Sequence, residues 1–324
     1  MTLNFIYRNV NHCLLVILLL LISTHVIAQK DAQFSLFNLN SIYLNPAAAG
    51  ADGLTRIQVS HRTQYVGYQS TNGDPGGALS TQLASFSMPI KNFGIGFYAL
   101  NDNSGPRNDQ DFKLMASYNF PVAGGNLFLG ASAGMFRQAI NYDQLKARDP
   151  GDDLIKTGTI SEMNPDVGAG VRYVSDAFHI GLSVAHLLKP KYALGSQTGV
   201  NPLPTTAYLN AGVNIEVGYL LDVQPIVLVK AYSASVSAEG GATVTYNKRY
   251  WAGATYRQQD TYFIIMGGIY LLPDQSLRLS GAYDMVIGGQ KQKSPSSFEV
   301  MLSYGIPTVK AGKKTIIRTP RFRY

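Results

Sequence analysis

The 324-residue sequence is poor in the residues that carry most enzyme chemistry. It has one cysteine and one tryptophan, and Asp, Glu, Lys and Arg together make up 15% of it. The cysteine, Cys13, falls inside an apolar run near the start that is expected to be removed, so the remaining chain has neither a disulfide nor a thiolate. With residues 1–28 removed, only three histidines remain, His61, His179 and His186. No two of them have metal-ligand spacing, and no serine stands in a nucleophile elbow. His61 and His186 sit on an otherwise apolar register near strand ends, where an interfacial position is expected. The acidic cluster Asp149, Asp152 and Asp153 lacks the spaced ligands of a calcium-binding loop and reads as solvated surface. Glycine pairs such as Gly267-Gly268 belong to strands, not to phosphate-cradling loops. No segment of useful length after residue 50 has helical periodicity. No enzyme, cofactor or metal is expected.

Charge excludes a further class. The formal net charge is +7, but Lys310, Lys313, Lys314, Arg318, Arg321 and Arg323 crowd the last fifteen positions without an acid among them. The rest of the chain offers no basic surface for a nucleic acid, and no nucleic-acid partner is expected.

Residues 1–28 read as a signal peptide: Arg8, then an apolar core from Cys13 to Ile22, then Val26-Ile27-Ala28 as a small-residue cleavage pattern, with Gln29 as the expected first mature residue. The apolar core is short for a membrane-spanning helix.

The remainder has 32 glycines and 20 tyrosines and alternates. From Ala207 to Val217 every odd-numbered residue is apolar, and the residues between include Tyr208, Asn210, Asn214 and Glu216. The same period of two recurs at 178–185, 277–284 and 298–305, placing one face of each strand on an apolar surface. Fourteen strands are expected, over 54–67, 78–90, 93–102, 110–121, 126–137, 165–175, 177–187, 206–218, 221–233, 236–246, 249–258, 261–272, 276–285 and 297–305. The long connections, 68–77, 103–109, 138–164, 188–205 and 286–296, all follow odd-numbered strands, whereas the even ones are tight. An even strand count with loops sorted by length to opposite ends points to an all-β, antiparallel outer-membrane barrel, with long loops outside and both termini in the periplasm. Lipid satisfies no backbone group, so only a closed sheet is stable there. Outer-membrane lipid is therefore one expected partner.

Four parts follow: the signal peptide 1–28, an N-terminal segment 29–52, the barrel 53–306 and a basic tail 307–324. Tyrosines and Trp251 near strand ends are candidates for interfacial girdles, or reflect ordinary strand composition. On the polar register Arg172, Glu216, Lys230, Arg278, Asp284 and Glu299 are expected to face the lumen, lining a channel or cross-linking a filled interior. The segment Gln33 to Gly50 mixes apolar residues with asparagines and is broken at Asn45-Pro46. Gln33, Phe34, Leu44, Asn45, Pro46 and Gly50 are candidate plug or partner contacts, folded into the lumen or packed beneath its rim.

Two ends of the chain carry a resemblance. Asp31-Ala32-Gln33-Phe34-Ser35, Tyr43-Leu44-Asn45-Pro46-Ala47-Ala48-Ala49-Gly50 and Arg62-Thr63-Gln64-Tyr65-Val66-Gly67 resemble the opening signature of the PorP/SprF family. Ser297 to Tyr304 and Arg318-Thr319-Pro320-Arg321-Phe322 resemble its last strand and tail. The resemblance implies an outer-membrane barrel of the type IX secretion system and gliding machinery. It also implies work with a secreted cargo protein, adhesin-like with a type B C-terminal sorting domain, and with periplasmic components of that system. Arg318, Thr319, Pro320, Arg321 and Phe322 are then candidate periplasmic contacts, although a solvated end fits the same residues. The cargo would be read by loops such as 138–164 and 188–205. The alternative reading is a channel for small or hydrophobic solutes with an N-terminal plug.

Overall fold

The computed structural model describes residues 31–66, 79–145, 156–194, 201–232, 235–258, 262–287 and 296–307. The signal peptide, the cluster Asp149, Asp152 and Asp153, and the tail residues Arg318 to Phe322 lie outside the described residues.

Fourteen long strands form the wall: β1 (Leu54–Gln64), β2 (Leu79–Ile90), β3 (Phe93–Ser104), β4 (Arg107–Val122), β5 (Gly125–Asn141), β6 (Thr159–Val174) and β7 (Phe178–Ala185), then β8 (Thr206–Val213, continued by Ile215–Val217), β9 (Leu221–Tyr232), β10 (Ser235–Tyr246), β11 (Tyr250–Arg257), β12 (Tyr262–Tyr270), β13 (Leu277–Val286) and β14 (Ser296–Pro307). Each pairs antiparallel with its neighbours in sequence. Thr206 of β8 faces Ala185 of β7 on one side and Tyr232 of β9 on the other. Arg62 of β1 faces Glu299 of β14, which closes the ring. A closed sheet of this kind leaves no edge.

The period-two pattern has the expected sense. On β14 the outward Phe298, Val300, Leu302 and Tyr304 are 42–54% exposed, while Ser297, Glu299, Met301 and Ser303 point inward and are 0–1% exposed. Aromatic side chains gather toward the short-turn end of the outer face, where Phe93, Tyr118 and Phe120 stack edge to face. Toward the other end, five adjacent strands carry an outward polar row. Gln82 donates to His61, Asn101 to Gln82, Gln110 to Asn101 and Arg137 to Gln110, over 2.7–3.4 Å. Each residue of that row is directly opposite the next in the sheet register. The row pairs its own dipoles on a wall otherwise facing lipid, and His61 has the outward placement expected of it.

Several expectations need correction. The connection expected over 103–109 is a two-residue turn at Gly105-Pro106, with Gly105 at φ +67°. Polar pairs such as Asp102 opposite Asp109 and Asn103 opposite Asn108 extend the ladder beyond the apolar stretch. Similarly β5 and β6 pair as far as Asn141 and Thr159, so the ends of the expected 138–164 loop belong to the wall. Apolar patterning marks where a strand meets lipid, not where its hydrogen bonding stops. Within the long connection expected over 188–205, the described residues 191–194 and 201–203 hold local structure of their own. Lys191–Tyr192 pairs with Asn201–Pro202, and Tyr192, Leu194 and Leu203 bury themselves against Phe136. Trp251 is not part of a girdle; it faces the lumen beside Leu36 and Met266, because it falls on the inward register between the exposed Tyr250 and Ala252.

Candidate functional site

The lumen is filled by the chain itself. Residues 31–50 lie inside the barrel as an irregular plug with one short helix, α1 (Ser41–Leu44), and a 3-10 turn at Pro46–Ala48. Its apolar side chains radiate into three inward-facing clusters. Phe34 and Ile42 pack with Leu83, Tyr98, Leu100 and Met115; Leu36 packs with Tyr262, Ile264 and Met301; Phe37 and Leu44 pack with Tyr208, Ile226 and Leu228. This explains why a segment too irregular for any regular element is nevertheless rich in Phe and Leu. Burying each such side chain contributes about 1.5–3 kcal/mol.

The wall is shaped to receive the plug's backbone. A Cβ on Gly94 would overlap the carbonyl oxygen of Ala49, one on Gly130 the backbone of Ala47, and one on Gly170 the carboxamide of Asn45. Inward glycines on three strands thus form a groove for Asn45–Ala49. Asn45 secures it: its Nδ2 donates to the carbonyls of Val171 (3.0 Å) and Leu182 (3.2 Å), and its Oδ1 accepts from Ala47 N (2.9 Å). Those carbonyls lie on β6 and β7 within the sheet. Pro46 opens the 3-10 turn, where its missing N–H costs nothing. Gly50, at φ +67°, donates to Ser87 Oγ at 2.7 Å, and the backbone then turns into β1.

Charged groups anchor the other half. Ser35 Oγ donates to Asp284 at 2.6 Å and accepts from Arg62 at 2.5 Å, while Ser35 N donates to Glu299 at 2.6 Å. Arg62 pairs with Asp284 at 2.6 Å and lies 3.6 Å from Glu299; Arg257 pairs with Glu239 at 2.7 Å. Buried charges persist only when paired and hydrogen-bonded, and here plug atoms complete the shell. Lys230 approaches the Ala32 carbonyl at 3.5 Å. Of the expected lumen charges, then, Lys230, Asp284 and Glu299 meet the plug, as does Arg62, which alternation alone did not single out.

Arg172 and Arg278 also face inward, but line a separate cleft of about 300 Å³ below the plug. Glu216 does not meet this set; it is exposed at the short-turn rim opposite Asp222, since β8 is interrupted at Asn214 before reaching it. Phe34, Leu44, Asn45, Pro46 and Gly50 all contact wall, and Gln33 is half-buried with its amide nitrogen unpaired.

His186 contradicts its expected interfacial position. It lies just past β7 with φ +57° and turns inward, with Nδ1 2.7 Å from Asp166 and Nε2 3.1 Å from Asp31. Burial opposes a charged imidazole, but the Asp31 carboxylate, with hydrogen bonds to Asp166 and Asp31, outweighs it and raises the His186 pKa to about 10. Asp31 moves the opposite way: burial would raise it, and charged His186 with the Tyr208 hydroxyl holds it well below the usual carboxylate range. A left-handed residue at a strand end reverses the alternation, which sequence periodicity does not register.

A closed antiparallel barrel with an apolar outer belt, a polar interior and a bonded N-terminal plug is an outer-membrane protein. The sequence matches the family described as type IX secretion system membrane protein PorP/SprF over residues 26–304, and the chain belongs to that family. Its role lies in type IX secretion at the outer membrane. No curated protein matches the chain. Among solved structures, the Ralstonia pickettii toluene transporter TbuX is similar at 11% identity and a TM-score of 0.49, over 82% of this chain and 93% of its own. The CymD monoaromatic hydrocarbon channel is similar at 14% identity and 0.49, over 83% and 92%. Omp33 of Acinetobacter baumannii is similar at 6% identity and 0.45, over 78% and 99%.

Proposed function

We propose that this barrel is a non-enzymatic component of the type IX secretion and gliding apparatus that assists the export or surface attachment of a cognate secreted protein, adhesin-like and bearing a type B C-terminal domain. The observation that carries this reading is the bonded plug: Ser35, Asn45 and Gly50 tie residues 31–50 to several strands, so the barrel is a closed scaffold. A closed barrel acts through its ends. In this reading the short-turn end, where β1 begins and β14 leaves the wall, faces the periplasm, and the loop end faces outward to the cargo. The basic tail with Arg318, Thr319, Pro320, Arg321 and Phe322 then meets periplasmic components of the system. Affinity capture of the tagged protein from membranes tests it. A large secreted protein is expected to co-purify, and its absence from captures that retain the intact barrel would count against the reading.

A channel for small or hydrophobic solutes is the second reading, favoured by the open cleft below the plug. Bilayer conductance separates the two. The scaffold reading expects the full barrel to be silent; a solute-dependent current through it would favour the channel.

A further inference from the structure

The charge pairing that holds the plug has an exception at the opposite end of the lumen. The cleft of about 300 Å³ is roofed by plug residues 38–42 and walled by the lower parts of β1, β2, β6, β7, β9 and β13, and three guanidinium groups line it: Arg56, Arg172 and Arg278. Its one carboxylate, Asp52, is already taken by Arg56 at 2.7 Å. Among the described residues no carboxylate lies within 4 Å of Arg172 or Arg278. The Nε atoms of both are fully buried without a hydrogen-bond partner. Their other contacts are neutral: the Arg278 guanidinium stands over the Tyr270 ring, and with its amide turned, Asn210 accepts from Arg172 at 3.2 Å.

Two inward guanidiniums that share only Asp52, a carboxylate already paired with Arg56, are costly in a confined space, because each loses hydration without gaining a contacting charge partner. Of the other buried cations of this lumen, Arg62, Arg257 and Lys113 each meet carboxylates, and Lys230 is held by the plug itself through the Ala32 carbonyl and over the Tyr208 ring. An anion entering the cleft would meet forked donors matched to planar oxyanions. Ser41, Ser85 and Gln224 on its walls add neutral donors.

We propose that this cleft is a docking site for a carboxylate presented by an acidic peptide that enters from the short-turn end. The cleft lies inside the wall, so the sheet separates it from lipid headgroups outside. The chain's own tail is a poor occupant, because its six basic residues add charge of the sign already in excess there. An acidic segment of another protein has the missing sign, and its backbone can use the amides and hydroxyls beside the arginines. The site is independent of whatever the loop end binds.

The test uses the purified full barrel in zwitterionic detergent at low salt. Its probes are a glutamate-containing hexapeptide, the same peptide with glutamine, and inorganic phosphate, with binding read by titration calorimetry. The glutamate peptide is expected to bind at least tenfold more tightly than the glutamine peptide. The single variants R172Q and R278Q should each weaken it at least tenfold, while R137Q, on the outer wall, should leave it unchanged. Heat-modifiable migration on gels confirms that each variant folds. Phosphate binding without peptide binding would overturn the proposal in favour of a free-anion site. Equal affinity for the two peptides, or full affinity in R172Q and R278Q, would overturn it outright.

Discussion

Asn45 makes the sharpest single test of the plug. Replacing it by alanine removes the two hydrogen bonds to Val171 and Leu182 and the one from Ala47. At about 0.5–1.5 kcal/mol each, the three together contribute roughly 1.5–4.5 kcal/mol. If they act on seating of the plug, its local opening should become between about 10-fold and 10³-fold more frequent. Amide hydrogen exchange reads this directly, because peptides from 41–50 report opening of the plug while peptides from β9 to β12 report the wall. N45A should accelerate exchange in 41–50 and leave the wall peptides unchanged. G170A approaches the same contact from the other side, since its Cβ would overlap the Asn45 carboxamide, and should accelerate the same peptides. Unchanged exchange at 41–50 in both variants, or acceleration spread evenly over plug and wall, would refute the idea that the glycine groove and Asn45 seat the plug.

Other expectations follow from the lumen and the outer wall. R62Q should destabilise the barrel by about 3–5 kcal/mol, because Asp284 and Glu299 stay buried while Arg62 no longer faces them; denaturant midpoints measure the loss, and adding D284N should recover part of it. On the lipid face L302R should cost about 2–4 kcal/mol at mid-membrane depth, read as folding yield into lipid vesicles, and a yield equal to wild type would show that this face does not meet lipid. The His186 contact should be pH-dependent. Its pKa is raised from 6.5 to about 10, so its stabilisation is complete below the unfolded value near 6.5 and is lost as pH rises through about 10. The melting-temperature advantage of wild type over H186Q should therefore shrink across that window, and an advantage constant to pH 10.5 would contradict the ion pair with Asp31.

The sequence alone determined the architecture. A period of two is set by the backbone, so Phe298, Val300 and Leu302 must share one face whatever they pack against. Strand number, closure and the tight connections after even-numbered strands were therefore legible, as was the inward direction of Lys230, Asp284 and Glu299, whereas the length of the 103–109 connection was not. Only the tertiary structure decided how that interior is occupied. Nothing local tells that Ser35 completes the shell of Arg62, Asp284 and Glu299, residues up to 264 positions away in the chain, or that Gly94, Gly130 and Gly170 are small because Asn45 to Ala49 lies against them. His186 turns inward because a left-handed residue reverses the alternation without changing residue type, whereas Trp251 simply follows the inward register of its strand, between the exposed Tyr250 and Ala252. Alternation settles which way a side chain points, a property of neighbours in sequence. Who meets whom inside the barrel depends on ring closure, which brings together strands from opposite ends of the chain and folds the plug between them.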